Sequence, residues 1–263
     1  MLELSVVIPV YNEGLNIGNT LRALRENVKQ PYEVLVVYDF DEDTTVPAVR
    51  ALQPQFENVS LLKNTICRGP SGAIRSGMET ASAPRILVAM ADMCDDFTQI
   101  PALMDLVPAR ADIVCPSRYC RGGQQQLPPS LKKFAPRLAG ALLKLLLGWD
   151  THDPTNSYKL YSAAMLRQMA LTSTVSFSIT LEIVAKAHCL GYRITEIPTT
   201  WADRTQGRSN FKFGRSLVTY MPWFLLALLR NRLLPVPTRI LRSWLAPKAP
   251  LVAPGQSRQR LDQ

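Results

Sequence analysis

The strongest constraint on the fold is a series of short apolar runs rich in β-branched residues, at 4–10, 33–38, 59–62 and 86–91, with a fifth at 112–115. Each run is nearly continuous rather than alternating in polarity. Strands buried on both faces of a parallel sheet read that way. Segments of helical period lie between them: 15–28, with Leu21, Leu24 and Val28 on one face, then about 44–53 and 72–81. Strand–helix alternation predicts a doubly wound α/β layer with a mostly parallel central sheet flanked by helices. The chain has 263 residues, 47% of them apolar, which is enough for a sizeable core. Ligands of such sheets sit beyond the carboxyl ends of the strands. That rule lines up residues 9–13, 39–43 and 92–96 along one rim.

The pattern changes after residue 120. Residues 121–129 (RGGQQQLPP) read as a loop, and 131–149 as a very apolar helix carrying Lys132, Lys133, Arg137 and Lys144. A helix over 179–189 and a strand over 193–197 follow. Residues 217–229 (LVTYMPWFLLALL) are apolar and interrupted by Pro222. A spanning helix needs about twenty such residues. The flanking Arg215, Arg230 and Arg232 suit a helix lying in a membrane interface, and the alternative is an ordinary buried helix. Residues 246–263 read as a disordered tail.

The net charge of +9 is carried by residues 201–263, which hold eleven Lys/Arg against two Asp, while residues 1–200 hold nineteen of each sign. A basic segment beside apolar stretches points to an anionic surface or a phosphate-bearing substrate. No zinc-finger spacing, aromatic-rich RNA motif or basic-region heptad supports nucleic acid as a partner. Five cysteines without a CxxC pair favour reduced thiols over disulfides or zinc. The same cysteine usage favours a cytosolic setting, and the start, without the basic and long apolar regions of a signal peptide, reads as a strand beginning almost at once.

The run at 86–96 (ILVAMADMCDD) ends in Asp92, Asp95 and Asp96. A single Asp after a strand is most often a helix cap, and Asp96 before Phe97 fits that role. Asp39, Asp41, Asp43 and Asp92 together are harder to explain so. Clustered carboxylates repel one another by on the order of several kcal/mol in a poorly solvated cleft. A divalent cation removes that repulsion, and oxygen ligands suit Mg²⁺ or Mn²⁺ arriving with a diphosphate. Among the other candidates, His188 reads as helix surface. His152 lines an acceptor pocket if it has a role, and Cys94 is the one thiol inside the acid rim.

Six stretches in order carry a resemblance: 5–13 (SVVIPVYNE), 36–45 (VVYDFDEDTT), 68–77 (RGPSGAIRSG), 116–123 (PSRYCRGG), 153–158 (DPTNSY) and 204–209 (RTQGRS). Together they resemble glycosyltransferase family 2, with its GT-A (nucleotide-diphospho-sugar transferase) fold. Their order and spacing resemble its polyprenyl-phosphate branch, typified by dolichyl-phosphate mannosyltransferase. The resemblance covers about residues 3–215. It implies a GT-A catalytic domain over 1–212, with a nucleotide-sugar half to about 120 and an acceptor half beyond it. Apolar interfacial helices would occupy 213–245.

By the same resemblance, Pro9, Tyr11, Glu13 and Asp39 fall where the family contacts the nucleotide. Asp92 matches the second Asp of the metal-binding DxD motif, with Asp95 as a further metal-ligand and catalytic candidate. Arg118 falls near the transferred sugar and the acceptor phosphate. Lys133 and Arg137 fall on the helix that binds the acceptor phosphate, and Arg204 and Ser209 on a loop that closes over the diphosphate. Two positions depart from the pattern. Met90 stands where the first Asp of DxD is expected, and a thioether is a poor ligand for Mg²⁺ or Mn²⁺. Asn210 stands where a lysine is usual in the closing loop, with Lys212 two residues on.

The implied reaction is inverting transfer of a sugar from a nucleotide-diphosphate donor to a polyprenyl phosphate, at the cytoplasmic face of a membrane. Two alternatives stand. One is transfer to a saccharide hydroxyl, which would want a general base such as Asp95, Asp96 or Asp153. The other is a nucleotide-sugar-binding protein without turnover. A dinucleotide-dependent oxidoreductase is disfavoured, because the glycine-rich turn is absent after the first strand.

Overall fold

The computed structural model describes residues 1–126, 137–138, 140–141, 144–146, 148–202, 213–230 and 245–246. In chain order these form β1 (Leu4–Pro9), α1 (Ile17–Asn27), β2 (Tyr32–Tyr38), α2 (Thr45–Leu52), β3 (Val59–Lys63), α3 (Pro70–Thr80), β4 (Arg85–Val88), α4 (Ile100–Leu106), β5 (Ile113–Ser117) and β6 (Gln124–Gln126). Then come β7 (Lys159–Ser162), α5 (Ala163–Leu166), α6 (Ser178–Leu190), β8 (Ile194–Pro198), β9 (Thr200–Ala202) and α7 (Phe213–Leu228). Residues 137–138, 140–141 and 144–146 are helical as well.

Among the described residues, seven strands form one sheet in the order β3-β2-β1-β4-β7-β5-β8. Every pairing is parallel except those of β7, which runs antiparallel to both β4 and β5. The sheet separates two cores, because successive side chains of a strand point to opposite faces. Leu4, Val6, Ile8, Val34 and Val36 face one core, with Leu21, Leu24, Val46, Val49 and Leu103 of α1, α2 and α4. Val7, Leu35 and Val37 face the other, with Ile74 and Met78 of α3 and Ile179, Ile183 and Val184 of α6. Burial on both faces explains why these runs are continuous in sequence.

The expected strands and helices between residues 4 and 117 are all present, with shifted ends. Strand β4 stops at Val88 rather than at residue 91. Helix α3 begins at Pro70, two residues early, since proline suits a first helical turn. Five elements were not anticipated, among them the short α5 and β9. Helix α4 and strand β7 (KLYS, entirely buried) fell in stretches without a clear period. The expected loop after residue 120 contains β6, which pairs in parallel with β9.

Helix α7 keeps its helical state through Pro222. Trp223, Phe224, Leu226 and Leu228 pack on the core beside α6, and Ala227 is buried. The Phe224 ring stacks on Trp149 at 5.7 Å, and the Lys186 ammonium lies 5.0 Å from the Trp223 ring. Val218, Met221 and Leu225 lie on the opposite side and are exposed. The helix is therefore packed on one face and bare on the other, between the interfacial and the buried expectations. No helix among the described residues is long and apolar enough to cross a membrane. Residues 247–263, expected to form a disordered tail, lie outside the described residues.

Candidate active site

Strands β2, β1 and β4 are neighbours, so the loops after their carboxyl ends share one edge. The first two loops are tied together. The Asn12 amide donates to Asp43 Oδ2 (3.0 Å) and the Glu13 amide to Thr45 Oγ1 (2.9 Å). The Tyr11 ring, more than half exposed, meets Phe40 edge-on at 5.6 Å, and the Arg68 guanidinium lies 5.8 Å from Phe40. Pro9 ends β1 beneath them, and Glu13 Oε2 accepts from Asn16 Nδ2 (2.7 Å). Asp39 is braced by Asn64 Nδ2 (2.6 Å) on one oxygen and by the Gly69 amide (2.8 Å) on the other. Gly69 has φ 106°, a conformation that a side chain disfavours. The fold thus brings Pro9, Tyr11, Glu13 and Asp39 together, with Phe40 and Arg68 added.

The expected four-acid cluster does not form. Asp43 is fully buried and accepts from the amides of Asn12 and Thr45, which starts α2. Asp41 pairs with Lys63 at the surface (2.5 Å). Both have local partners, so neither requires a metal. Asp96 is the cap that its sequence context suggested, accepting from the Thr98 amide (3.1 Å).

Asp92 and Asp95 remain. Asp92 Oδ1 accepts from the Cys94 amide (3.2 Å), and Asp95 Oδ2 from the Met90 amide (3.3 Å). Asp95 is only half-buried as a residue, but its carboxyl is enclosed by protein. That desolvation, followed by the charge of Asp92, pushes the carboxyl up to about 7. The Cys94 thiol is buried and turned to the Asp92 carbonyl (3.7 Å), away from a ligand role. Among the described residues no group of three or more His, Cys, Asp or Glu is arranged to hold a metal ion. Among the described residues, Asp92 and Asp95 are the carboxylates at this position. That fits Mg²⁺ or Mn²⁺ only in the mode where one or two carboxylates share the ion with substrate phosphates and water.

The antiparallel strand completes the edge. Because β7 runs against β4 and β5, its leading end lies beside their carboxyl ends, with Lys159 opposite Val88. The preceding residues 153–158 therefore reach the same rim. Arg118 follows β5, and its Nε and Nη2 donate to Asp153 Oδ2 (2.7 Å) and Oδ1 (2.8 Å), while its amide donates to Oδ2 (3.1 Å). Asp153 is fully buried. Burial alone would raise its carboxyl, but the Arg118 charge and hydrogen bonds outweigh burial and hold it below the usual range. Asn156 Nδ2 anchors to the Pro116 carbonyl (2.9 Å). Lys159 is buried, and burial pushes its ammonium down. It donates to the Pro154 carbonyl (3.1 Å) and to that of Asn156. The Tyr119 ring lies 5.0 Å from the Arg118 guanidinium.

Arg137 Nη2 donates to the Gly123 carbonyl (3.5 Å), close to Arg118. Lys133, Arg204, Ser209, Asn210 and Lys212 lie outside the described residues. Sequence reasoning missed Phe40, Lys159 and Glu196 as parts of this region. Lys159 directly follows the 153–158 stretch, which was a usable signal. Glu196 carried none, since a carboxylate in a strand reads as a solvated face.

The model of the family described as Glycosyl transferase family 2 matches residues 5–169. An undecaprenyl-phosphate mannosyltransferase of Micrococcus luteus is 30% identical over 236 residues, covering 86% of this chain and 96% of that protein. A dolichol-phosphate mannosyltransferase of Pyrococcus furiosus is 28% identical over 84% of this chain, which spans only 62% of that longer protein. A polyprenol monophosphomannose synthase of Mycolicibacterium smegmatis is 27% identical over 78% of this chain and 79% of its own length. Among solved structures, glucosyl-3-phosphoglycerate synthase from Mycobacterium tuberculosis, crystallised with Mn²⁺ and uridine diphosphate, superimposes with a TM-score of 0.62. It covers 87% of this chain and 80% of that one at 17% identity, a likeness of fold. The family match spans more than half of the chain and coincides with the sheet and the rim just described: the chain belongs to glycosyl transferase family 2.

Proposed function

We propose that this protein transfers a sugar, with inversion, from a nucleoside-diphosphate donor to a polyprenyl phosphate at the cytoplasmic surface of a membrane. The observation that carries the reading is one edge with two functions. Asp39, Asp92 and Asp95 follow β2 and β4, Arg118 follows β5 within electrostatic reach of Asp95, and Arg137 donates to Gly123 just beyond Arg118. The names of the three relatives support the acceptor class. The exposed apolar strip of α7 (Val218, Met221, Leu225) and that of the helical residues before Gly148 (Leu138, Leu145, Leu146) support a membrane surface as partner.

In this reading Tyr11 and Phe40 flank the base, and Asp39 hydrogen-bonds it or its ribose. Arg118 and Arg137, with Lys133, hold the acceptor phosphate. A phosphate oxygen attacks the anomeric carbon as the bond to the diphosphate breaks, and the nucleoside diphosphate leaves with the electron pair. The phosphate monoester is already ionised near neutral pH, so the step needs no strong base. Positioning and charge stabilisation then carry the catalysis. Asp92 and Asp95 would hold Mg²⁺ or Mn²⁺, which when bound neutralises charge on the departing diphosphate.

The test is incubation of the purified protein with undecaprenyl phosphate and a panel of nucleotide sugars. Formation of a polyprenyl phosphosugar is expected. No product across the panel, or product only on saccharide hydroxyls, overturns the reading.

A further inference from the structure

One polar cluster near the acceptor side has no part in the reaction above. Glu196 of β8 stands in register with Cys115, three residues before Arg118. Its Oε1 accepts from Lys144 Nζ (3.3 Å) and from His152 Nδ1 (2.5 Å), and its Oε2 accepts from the His152 amide (2.8 Å). The carboxylate is only 13% exposed. Burying a carboxylate that far is unfavourable unless it is paired, and here it is paired from two other elements. His152 immediately precedes Asp153, the partner of Arg118. Lys144 lies on the helical segment that carries Arg137.

Two close approaches show that this segment is seated rather than resting loosely. A Cβ on Gly140 would lie 2.3 Å from the His152 carbonyl oxygen and 3.7 Å from the Tyr119 ring. A Cβ on Gly123, whose carbonyl accepts from Arg137, would lie 2.4 Å from the Ser117 carbonyl oxygen and 2.8 Å from the Arg118 carbonyl carbon. Arg137, Gly140 and Lys144 follow the i, i+3, i+7 spacing of one helix face. That face meets Gly123, His152 and Glu196 in turn. Leu138 and Leu145 lie on another face and are exposed.

We infer that Glu196 is a positioning residue for the acceptor phosphate. Acting through His152 and Lys144, it sets how the segment bearing Arg137 sits against Arg118. With Nδ1 donating to the carboxylate, His152 is held in one orientation, and its carbonyl forms the floor under Gly140. The inference rests on the reading of Arg118 and Arg137 as acceptor-phosphate ligands.

The experiment uses the full chain, undecaprenyl phosphate and the nucleotide sugar that the wild type uses. Glu196→Gln keeps an oxygen for the His152 amide but loses the charge. The acceptor KM is expected to rise about tenfold, while kcat and calorimetric donor affinity stay within about twofold. Hydrogen exchange at residues 140–146 should quicken, with no change in β1, β2 or β4. Were Glu196→Gln to misfold, Lys144→Met, at the more exposed end of the bridge, carries the same expectation. An unchanged acceptor KM with unchanged exchange overturns the inference and leaves the proposed function standing. Equal losses of donor and acceptor affinity also overturn it, since they mark a general structural role. No polyprenyl product from the wild type overturns both.

Discussion

Asp153 has no exposed surface, yet its carboxylate stays ionised because Arg118 gives it three hydrogen bonds. Removing one member of such a pair leaves the other charge buried alone, so Asp153→Ala should destabilise by about 3–5 kcal/mol in urea unfolding. The pH dependence follows from a folded pKa held below its ordinary value. The contribution is fully present above the unfolded carboxylate value near 4 and is lost as pH falls through the folded one. The stability gap between wild type and Asp153→Asn should therefore close on acidification below about pH 4 and stay constant from pH 5 to 7. Met90 gives a second prediction at this scale. In the proposed metal site the described residues supply the carboxylates of Asp92 and Asp95, so Met90→Asp should tighten Mn²⁺-dependent binding of a nucleoside diphosphate, whereas Asp92→Ala should abolish the metal dependence. Calorimetric titration with UDP and GDP, each with and without Mn²⁺, reads both variants. Metal-independent binding in Met90→Asp would count against the carboxylate site.

Helix α7 shows how one element serves two surroundings. Its Trp223, Phe224 and Leu226 face the core, and its Val218, Met221 and Leu225 face outward. The inner face should behave as core. Phe224→Ala removes the stack on Trp149 and should lower stability by about 2–4 kcal/mol, somewhat less than a fully buried aromatic costs. The outer face should behave as surface. The double variant Met221→Asp, Leu225→Asp should leave the thermal midpoint nearly unchanged and weaken cosedimentation with vesicles containing anionic lipid. A large loss of stability in that variant would mean that the strip is covered within the protein. The buried Glu182–Lys186 pair of α6 works alongside this packing. Glu182 accepts from the Thr172 and Ser173 amides, and Lys186 lies under Trp223. The pair thereby ties the loop before α6 to α7.

At the scale of the molecule, the excess of positive charge in residues 201–263 gives a further expectation. Vesicle binding should fall as salt rises from 0.05 to 0.5 M, because exposed charges are screened beyond roughly 10 Å at 0.1 M. Binding that ignores salt would assign the attachment to the apolar strips alone. The parallel sense of β1 to β4 and the helices between them were legible in the sequence, whereas their order in the sheet came from the structure. Burial on both sheet faces demands continuous β-branched runs, and a parallel return demands a crossover helix. That Pro9, Tyr11, Glu13, Asp39 and Asp92 meet at one edge was legible because topology delivers them to strand ends. Strand β7 was not, since neither burial nor period encodes strand direction. Yet its reversal is what carries Asp153 to Arg118.

The same limit separates the acids. By itself the sequence placed carboxylates beyond three strand ends on one rim, and Met90 where the resemblance expects the first Asp of DxD. Only the tertiary structure decided that Asp43 is buried against the Asn12 amide, that Asp41 pairs with Lys63, and that Asp95 lies enclosed beside Asp92. Those roles depend on partners up to some thirty residues away. Glu196 is the clearest case. It reads as a surface residue in a strand and becomes a half-buried junction only when Lys144 and His152 fold onto it. Local pattern reports what a segment must bury. Which polar group meets which is settled by long-range packing, where desolvation makes every unpaired charge unfavourable.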